Sequence, residues 1–256
     1  MKAFILAGGK GNIDFEDCDN KALLPIEGKF MLQYIVDALR GSTFIDGIAI
    51  IGDPDLLRDK IEIDNDKDII LQEDEMMIDN VVKGLNYFLD QEKVLLITSD
   101  IPFITPKAID HFIQASLDSK ADFTYPIIKK ETQLQTYPDM QRTYVKLKEG
   151  SFTGGNMSVI KPDIGDPFFA MGRHMIENRK KPWKMVKILG VGFLVQLLLG
   201  TLTIEKLENR IGSLLSINPK AIITPYAEIG NDVDKKEDIE LAKKYIDRYK
   251  VEANRD

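Results

Sequence analysis

Short apolar runs bounded by turn residues alternate along the first half of the chain with segments whose apolar residues recur at i, i+3 and i+4. That alternation is the signature of a mostly parallel sheet flanked by helices. The runs predict strands over Lys2–Leu6, Gly47–Ile51, Asp68–Leu71, Val94–Thr98 and Phe123–Ile127. The helical spacing falls on Met31–Leu39, Leu56–Ile61, Ile78–Leu89 and Pro106–Leu117. Past about Lys129 the alternation stops, and "QRTYVKLKEGSFTGGNMSVIKP" reads as two extended runs joined at a turn-forming Lys-Glu-Gly, which adds antiparallel strands to the sheet. From Ile164 to Leu215 the chain reads as helical, first cationic ("RHMIENRKKPWK") and then strongly apolar ("ILGVGFLVQLLLG"). A last strand is predicted in "KAIITPYAEIG". A closing helix follows in "NDVDKKEDIELAKKYIDRY", with acid at its start where the helix dipole favours it.

A length of 256 residues accommodates one large α/β domain, residues 1–256, with an appended helical insertion at about 164–215. The net charge of -7 argues against non-specific binding to nucleic acid. A lone cysteine, Cys18, excludes an intramolecular disulfide and a multi-cysteine zinc site, as suits a reducing cytoplasm, and the N-terminus lacks a signal-peptide pattern. Between Lys187 and Glu205 the uncharged run is about 17 residues, the lower limit for crossing a bilayer, and Gly190, Gly192, Gln196 and Gly200 interrupt it. The first expectation is a buried helix. The second is a peripheral membrane contact through about 179–204, where cations adjoin Trp183 and a Leu-rich stretch.

Three glycines, Gly8, Gly9 and Gly11, leave the first strand, where ligands bind in parallel sheets and where backbone N–H groups can close on phosphates. G-G-K-G is neither a dinucleotide fingerprint nor a Walker A motif. Asp14, Glu16, Asp17 and Asp19 follow, and are expected to be a solvated flap; recognition of a cationic group on the acceptor is the alternative. "VLLITSDIPFIT" runs an apolar strand straight to Asp100, and Pro102 prevents its continuing as a central strand. A carboxylate at that edge can bind Mg²⁺, which takes one or two carboxylates besides phosphate oxygens and water, while Thr105 is better placed to cap the helix that follows. Asp232 and Asp234, ahead of the last helix, offer a second carboxylate. Lys21 could bring a point charge to a triphosphate.

Taken in order, "FILAGGKG", "NKALLPIEGKFMLQYIVDAL", "TSDIPFIT", "GGNM" and "DVDKKEDIELA" resemble the MobA-like NTP transferase family. The resemblance implies a three-layer α/β/α GT-A-like fold with a mostly parallel central sheet. It also implies a Mg²⁺-dependent nucleotidyltransferase in which an acceptor phosphate or phosphonate oxygen attacks the α-phosphorus of an NTP (CTP, GTP or UTP) and pyrophosphate leaves. By position it implies that Leu6, Ala7, Gly8, Gly9, Lys10, Gly11 and Ser99 surround the nucleotide, with Gln72 at the base. Lys21 would bind the phosphates, Asp100 and Asp234 would hold the metal, and Arg142, Gly154, Gly155 and Asn156 would face a small phosphorylated acceptor. The chain departs from the family pattern in having Asn12, Ile13 and Asp14 where relatives carry an arginine; Arg142, Lys146 and Lys148 are candidate substitutes. Two rival readings are a GT-A glycosyltransferase, which usually shows Asp-x-Asp where this chain has Ser99-Asp100-Ile101-Pro102, and a non-catalytic nucleotide-binding regulator.

Overall fold

The computed structural model describes residues 1–9, 18, 20–178 and 190–253. Lys10, Gly11, the acidic stretch from Asp14 to Asp17, Asp19 and the cationic residues 179–189 lie outside the described residues. The strands of the main sheet are β1 (Lys2–Leu6), β4 (Ile48–Gly52), β5 (Ile69–Gln72), β6 (Val94–Thr98), β7 (Phe123–Lys129), β8 (Val145–Leu147), β9 (Gly150–Gly154), β10 (Met157–Ile160) and β11 (Pro219–Ile223). A separate small hairpin pairs β2 (Pro25–Ile26) with β3 (Lys29–Phe30). The helices are α1 (Met31–Arg40), α2 (Pro54–Leu57), α3 (Met77–Tyr87), α4 (Pro106–Asp118), α5 (Lys130–Thr136), α6 (Asp166–Asn178), α7 (Val191–Leu198), α8 (Ile204–Leu215) and α9 (Lys236–Ala253).

The sheet runs β5-β4-β1-β6-β10-β7-β9-β8, with β11 also paired to β7. β5, β4, β1 and β6 are mutually parallel, and β10 then enters antiparallel between β6 and β7. This is the sheet flanked by helices that the hydrophobic pattern predicts, in the α/β/α layering that the family resemblance implies, with the expected antiparallel additions. Alternation along β1 separates the two layers: Ala3 and Ile5 join the core that faces α1 and α4, while Phe4 joins the one that faces α3. Both faces of β1 and β4 are covered, so these strands read as continuous apolar runs.

Several elements depart from expectation. The second helix is one turn, Pro54–Leu57, because Asp53 caps it through the Asp55 N–H and Pro54 starts it, which moves its beginning ahead of the apolar residues. α5 lies where no helix is predicted; a helix of seven residues has too few turns to display a periodic face. The expected burial of the apolar run is corrected: α7 has no buried residue, and Val191, Val195, Leu198 and Leu199 are exposed. Phe193 and Leu197 pack on a small cluster of Leu147, Phe152 and Leu202, so a helix this short covers only one side of itself. Among the described residues no helix is long and apolar enough to cross a membrane.

Candidate active site

The candidate site gathers at the carboxyl ends of β1, β5 and β6, the side of a parallel sheet on which ligands bind. β1 delivers Leu6, Ala7, Gly8 and Gly9. Ala7 is buried and its N–H donates to Ile51, while its carbonyl accepts from the side chain of Asn20 at 2.9 Å. Asn20 is itself buried and also accepts the Ala22 N–H, which caps the 3-10 turn Lys21–Leu23. One amide therefore ties the glycine loop to the turn that presents Lys21. The sequence reading missed Asn20, although an Asn ahead of a short apolar segment is a capping signal.

Lys21 reaches across to β6. Its ammonium donates to Asp100 Oδ2 at 2.9 Å and is also hydrogen-bonded to Asp234. Burial is the largest influence on its pKa and favours the neutral form, but the charges and hydrogen bonds of Asp100 and Asp234 together outweigh it and hold the pKa above the usual lysine value. Asp100 is oriented by the Thr98 hydroxyl, which donates to its Oδ1 at 2.6 Å, and Ser99 beside it is buried. Thr105 caps α4 as the spacing predicts.

The loop from Asn231 to Asp234 brings the remaining acid. Asn231 is fully buried, bonded to Gln133 of α5 and to the Ala227 carbonyl, and the Val233 N–H donates to the Asp100 carbonyl at 2.9 Å. Asp238 then accepts the N–H groups of Asp234 and Lys235 at the start of α9. Held at both ends, the loop sets one carboxylate oxygen each of Asp100, Asp232 and Asp234 within 4.8 Å of one another. Three hard oxygen donors at the mouth of a cleft fit Mg²⁺, which keeps further positions for phosphate and water. The Lys21 ammonium pairs with Asp100 and Asp234 but offsets only one of their two charges.

Arg142 approaches from the other side and pairs with Asp232. Burial, the dominant influence, lowers its pKa, opposed by Asp234, Tyr125, Asp100 and Tyr144 in turn; its Nε has no partner among the described residues. Together with Gly154, Gly155 and Asn156 it lines a cavity of about 770 Å³ next to the acidic cluster. Gly155 and Asn156 interrupt the extended chain between β9 and β10, where the Gly155 N–H donates to Pro126 and the Asn156 N–H to Ile229. Of the candidate substitutes for the loop arginine, Arg142 lies at this cavity, whereas Lys146 and Lys148 are exposed on and just after β8.

Gln72 ends β5 with its side chain exposed, and the following residue is the one that meets the glycine loop. Glu73 Oε2 accepts the Gly9 N–H at 2.9 Å, and a Cβ on Gly8 would lie 1.9 Å from the same oxygen. Nothing in the spacing of "ILQEDE" distinguishes Glu73 from its neighbours; the contact depends on the register of β5 against β4.

The chain belongs to the MobA-like NTP transferase domain family, whose profile matches residues 3–180. That places it in the class of the nucleotidyltransferases, on the GT-A-like fold. A hypothetical transferase from Thermus thermophilus superposes with a TM-score of 0.81 at 30% identity, covering 93% of this chain and 98% of that one. The 4-diphosphocytidyl-2C-methyl-D-erythritol synthase of Anaerococcus prevotii (TM-score 0.60, 14% identity, 96% and 95% covered) and a CMP:2-keto-3-deoxy-manno-octonic acid synthetase solved with CTP (0.60, 12%, 97% and 99%) share the fold. The bifunctional protein GlmU of Blochmanniella pennsylvanica is 33% identical over 129 residues, which make up 46% of this chain and 27% of GlmU.

Proposed function

We propose that the protein is a Mg²⁺-dependent enzyme of the cytoplasm that transfers a nucleotidyl group from CTP, GTP or UTP to a phosphorylated acceptor and releases pyrophosphate. The observation that carries this reading is the convergence of Asp100, Asp232 and Asp234 with Lys21 beside the cavity that holds Arg142. The acceptor's phosphate oxygen forms a bond to the α-phosphorus, the bond to the bridging oxygen breaks, and the electron pair leaves on pyrophosphate. An anionic oxygen needs no general base. Asp100, Asp232 and Asp234 would hold the Mg²⁺, which supplies charge neutralisation at the phosphates. Lys21 stabilises negative charge that builds on the leaving group, and Arg142 orients the acceptor phosphate. Gly8 and Gly9 admit the nucleotide close to the backbone, and the exposed apolar face of α7 supports a peripheral membrane contact.

Pyrophosphate release across a panel of NTPs and phosphorylated acceptors tests the reading. Asp100→Asn and Asp234→Asn should each abolish release while the fold survives, since both carboxylates sit at strand or loop ends. Wild-type turnover in either variant removes the site. Release of nucleoside diphosphate from a sugar nucleotide favours the glycosyltransferase instead.

A further inference from the structure

Tyr125, Thr153 and Gly154 line the polar cavity and also line a second one, of about 390 Å³. This second cavity is a groove between the sheet and α8, walled by Phe123, Ile127, Leu147, Phe152, Leu207 and Ile211. Its charged wall residues, Glu208 and Lys220, pair with each other at 2.9 Å, so no unbalanced charge faces it among the described residues. At the join a Cβ on Gly154 would come 2.4 Å from the Tyr125 hydroxyl; glycine there lets the phenol lie against β9, in the wall between the two spaces. α7 stands beside the groove. Its inner residues, Phe193 and Leu197, pack on Leu147 and Phe152, and its outer apolar face is open to solvent.

We propose that the acceptor is an amphiphile drawn from a lipid surface: a phosphate monoester with its head beside Arg142 and its hydrocarbon chain running past Tyr125 into the groove under α8. This rests on the nucleotidyl-transfer reading for the chemistry, and on the shared walls of the two cavities for the chain. A compact sugar phosphate fills the polar cavity and leaves the apolar one wet, whereas a chain attached to the phosphate removes both surfaces from water. The product is a nucleoside diphosphate carrying the chain, formed with loss of pyrophosphate.

The test uses the full chain with n-butyl, n-octyl and n-dodecyl phosphate. Binding is measured by calorimetry, and pyrophosphate release is measured separately with Mg²⁺ and each NTP. Affinity should rise with chain length, by up to about fourfold for each methylene buried. Ile211→Trp, which fills the groove, and Leu207→Glu, which charges it, should each remove that rise while leaving butyl phosphate binding and the thermal midpoint near wild type. Dodecyl phosphate in phosphatidylcholine vesicles should be used at least as well as the free monomer. Equal affinity for butyl and dodecyl phosphate, a chain-length effect that survives both substitutions, or use of the free monomer alone overturns the proposal. Chain-length-dependent binding without pyrophosphate from any NTP supports the amphiphile and counts against the transfer reading, so the two fail separately.

Discussion

Lys21 pairs with both Asp100 and Asp234, so its removal has two consequences that can be separated. Lys21→Ala should lower kcat by about 10²–10³ with KM little changed, because the lysine acts on charge that grows in the transition state. A change confined to KM would indicate uniform binding instead. The same variant leaves three carboxylates facing one another, so Mg²⁺ should raise its thermal midpoint more than it raises that of wild type. Glu228 is a different case. It is buried at 6% exposure with the Thr105 hydroxyl donating to it at 2.9 Å, and burial, ahead of its hydrogen bonds, raises its pKa. The folded state therefore holds the proton more tightly than the unfolded one, and stability falls as pH rises from the ordinary carboxylate value through the raised one. Glu228→Gln should be more stable than wild type at neutral pH and lose that advantage at about pH 4, as read from thermal melts at the two values. Lys21 stands out in the sequence because it follows closely on a glycine loop, and Asn20 carries a local capping signal beside it, whereas the contact of Glu73 with the Gly9 N–H joins residues far apart in the chain.

Among the elements, the break between β9 and β10 is sensitive to a single substitution. A Cβ on Gly155 would lie 2.6 Å from Ile229 Cγ2 and 2.8 Å from Pro126 Cγ, and Ile229 belongs to the segment that leads into Asp232 and Asp234. Gly155→Ala should cost about 1–3 kcal/mol by overpacking and reduce turnover by displacing the acidic loop; chemical denaturation and a pyrophosphate assay measure the two effects. α7 invites the opposite experiment, because its exposed face contributes little to the fold. Val195→Glu with Leu198→Glu should leave the melting midpoint near wild type and weaken co-sedimentation with anionic vesicles. The run that forms α7 looked like a buried helix on composition alone. It is exposed because the sheet ends at β8 and offers a surface for Phe193 and Leu197 only.

For the molecule as a whole, ligand linkage is the most direct readout of which nucleotide the site accepts. An NTP at 100 times its Kd should stabilise the fold by about 2.7 kcal/mol, or roughly 5–10 °C in a chain of this size. The effect should be largest for one base, should depend on Mg²⁺, and should shrink in Asp100→Asn. A midpoint that no NTP moves, with or without Mg²⁺, would count against nucleotide binding altogether.

The strand-and-helix succession, the glycine loop after β1, the carboxylate after β6 and the acid before α9 were all readable along the chain. Each is a local pattern: a hydrophobic period, a turn residue, or a charge placed at the end of an apolar run. Hydrophobic burial enforces such patterns wherever the chain folds. What the tertiary structure alone decided is which of them meet. Asp232 and Asp234 lie more than a hundred residues beyond Asp100, and they converge because Asn231 is locked to Gln133 and because the Val233 N–H is bonded to the Asp100 carbonyl. The sharing of Tyr125, Thr153 and Gly154 between a polar and an apolar cavity likewise follows from β9 pairing antiparallel to β7 while α8 packs nearby against β11. Neither arrangement has a sequence period, because long-range pairing is set by the summed burial of the whole core and leaves no local trace at the residues it brings together.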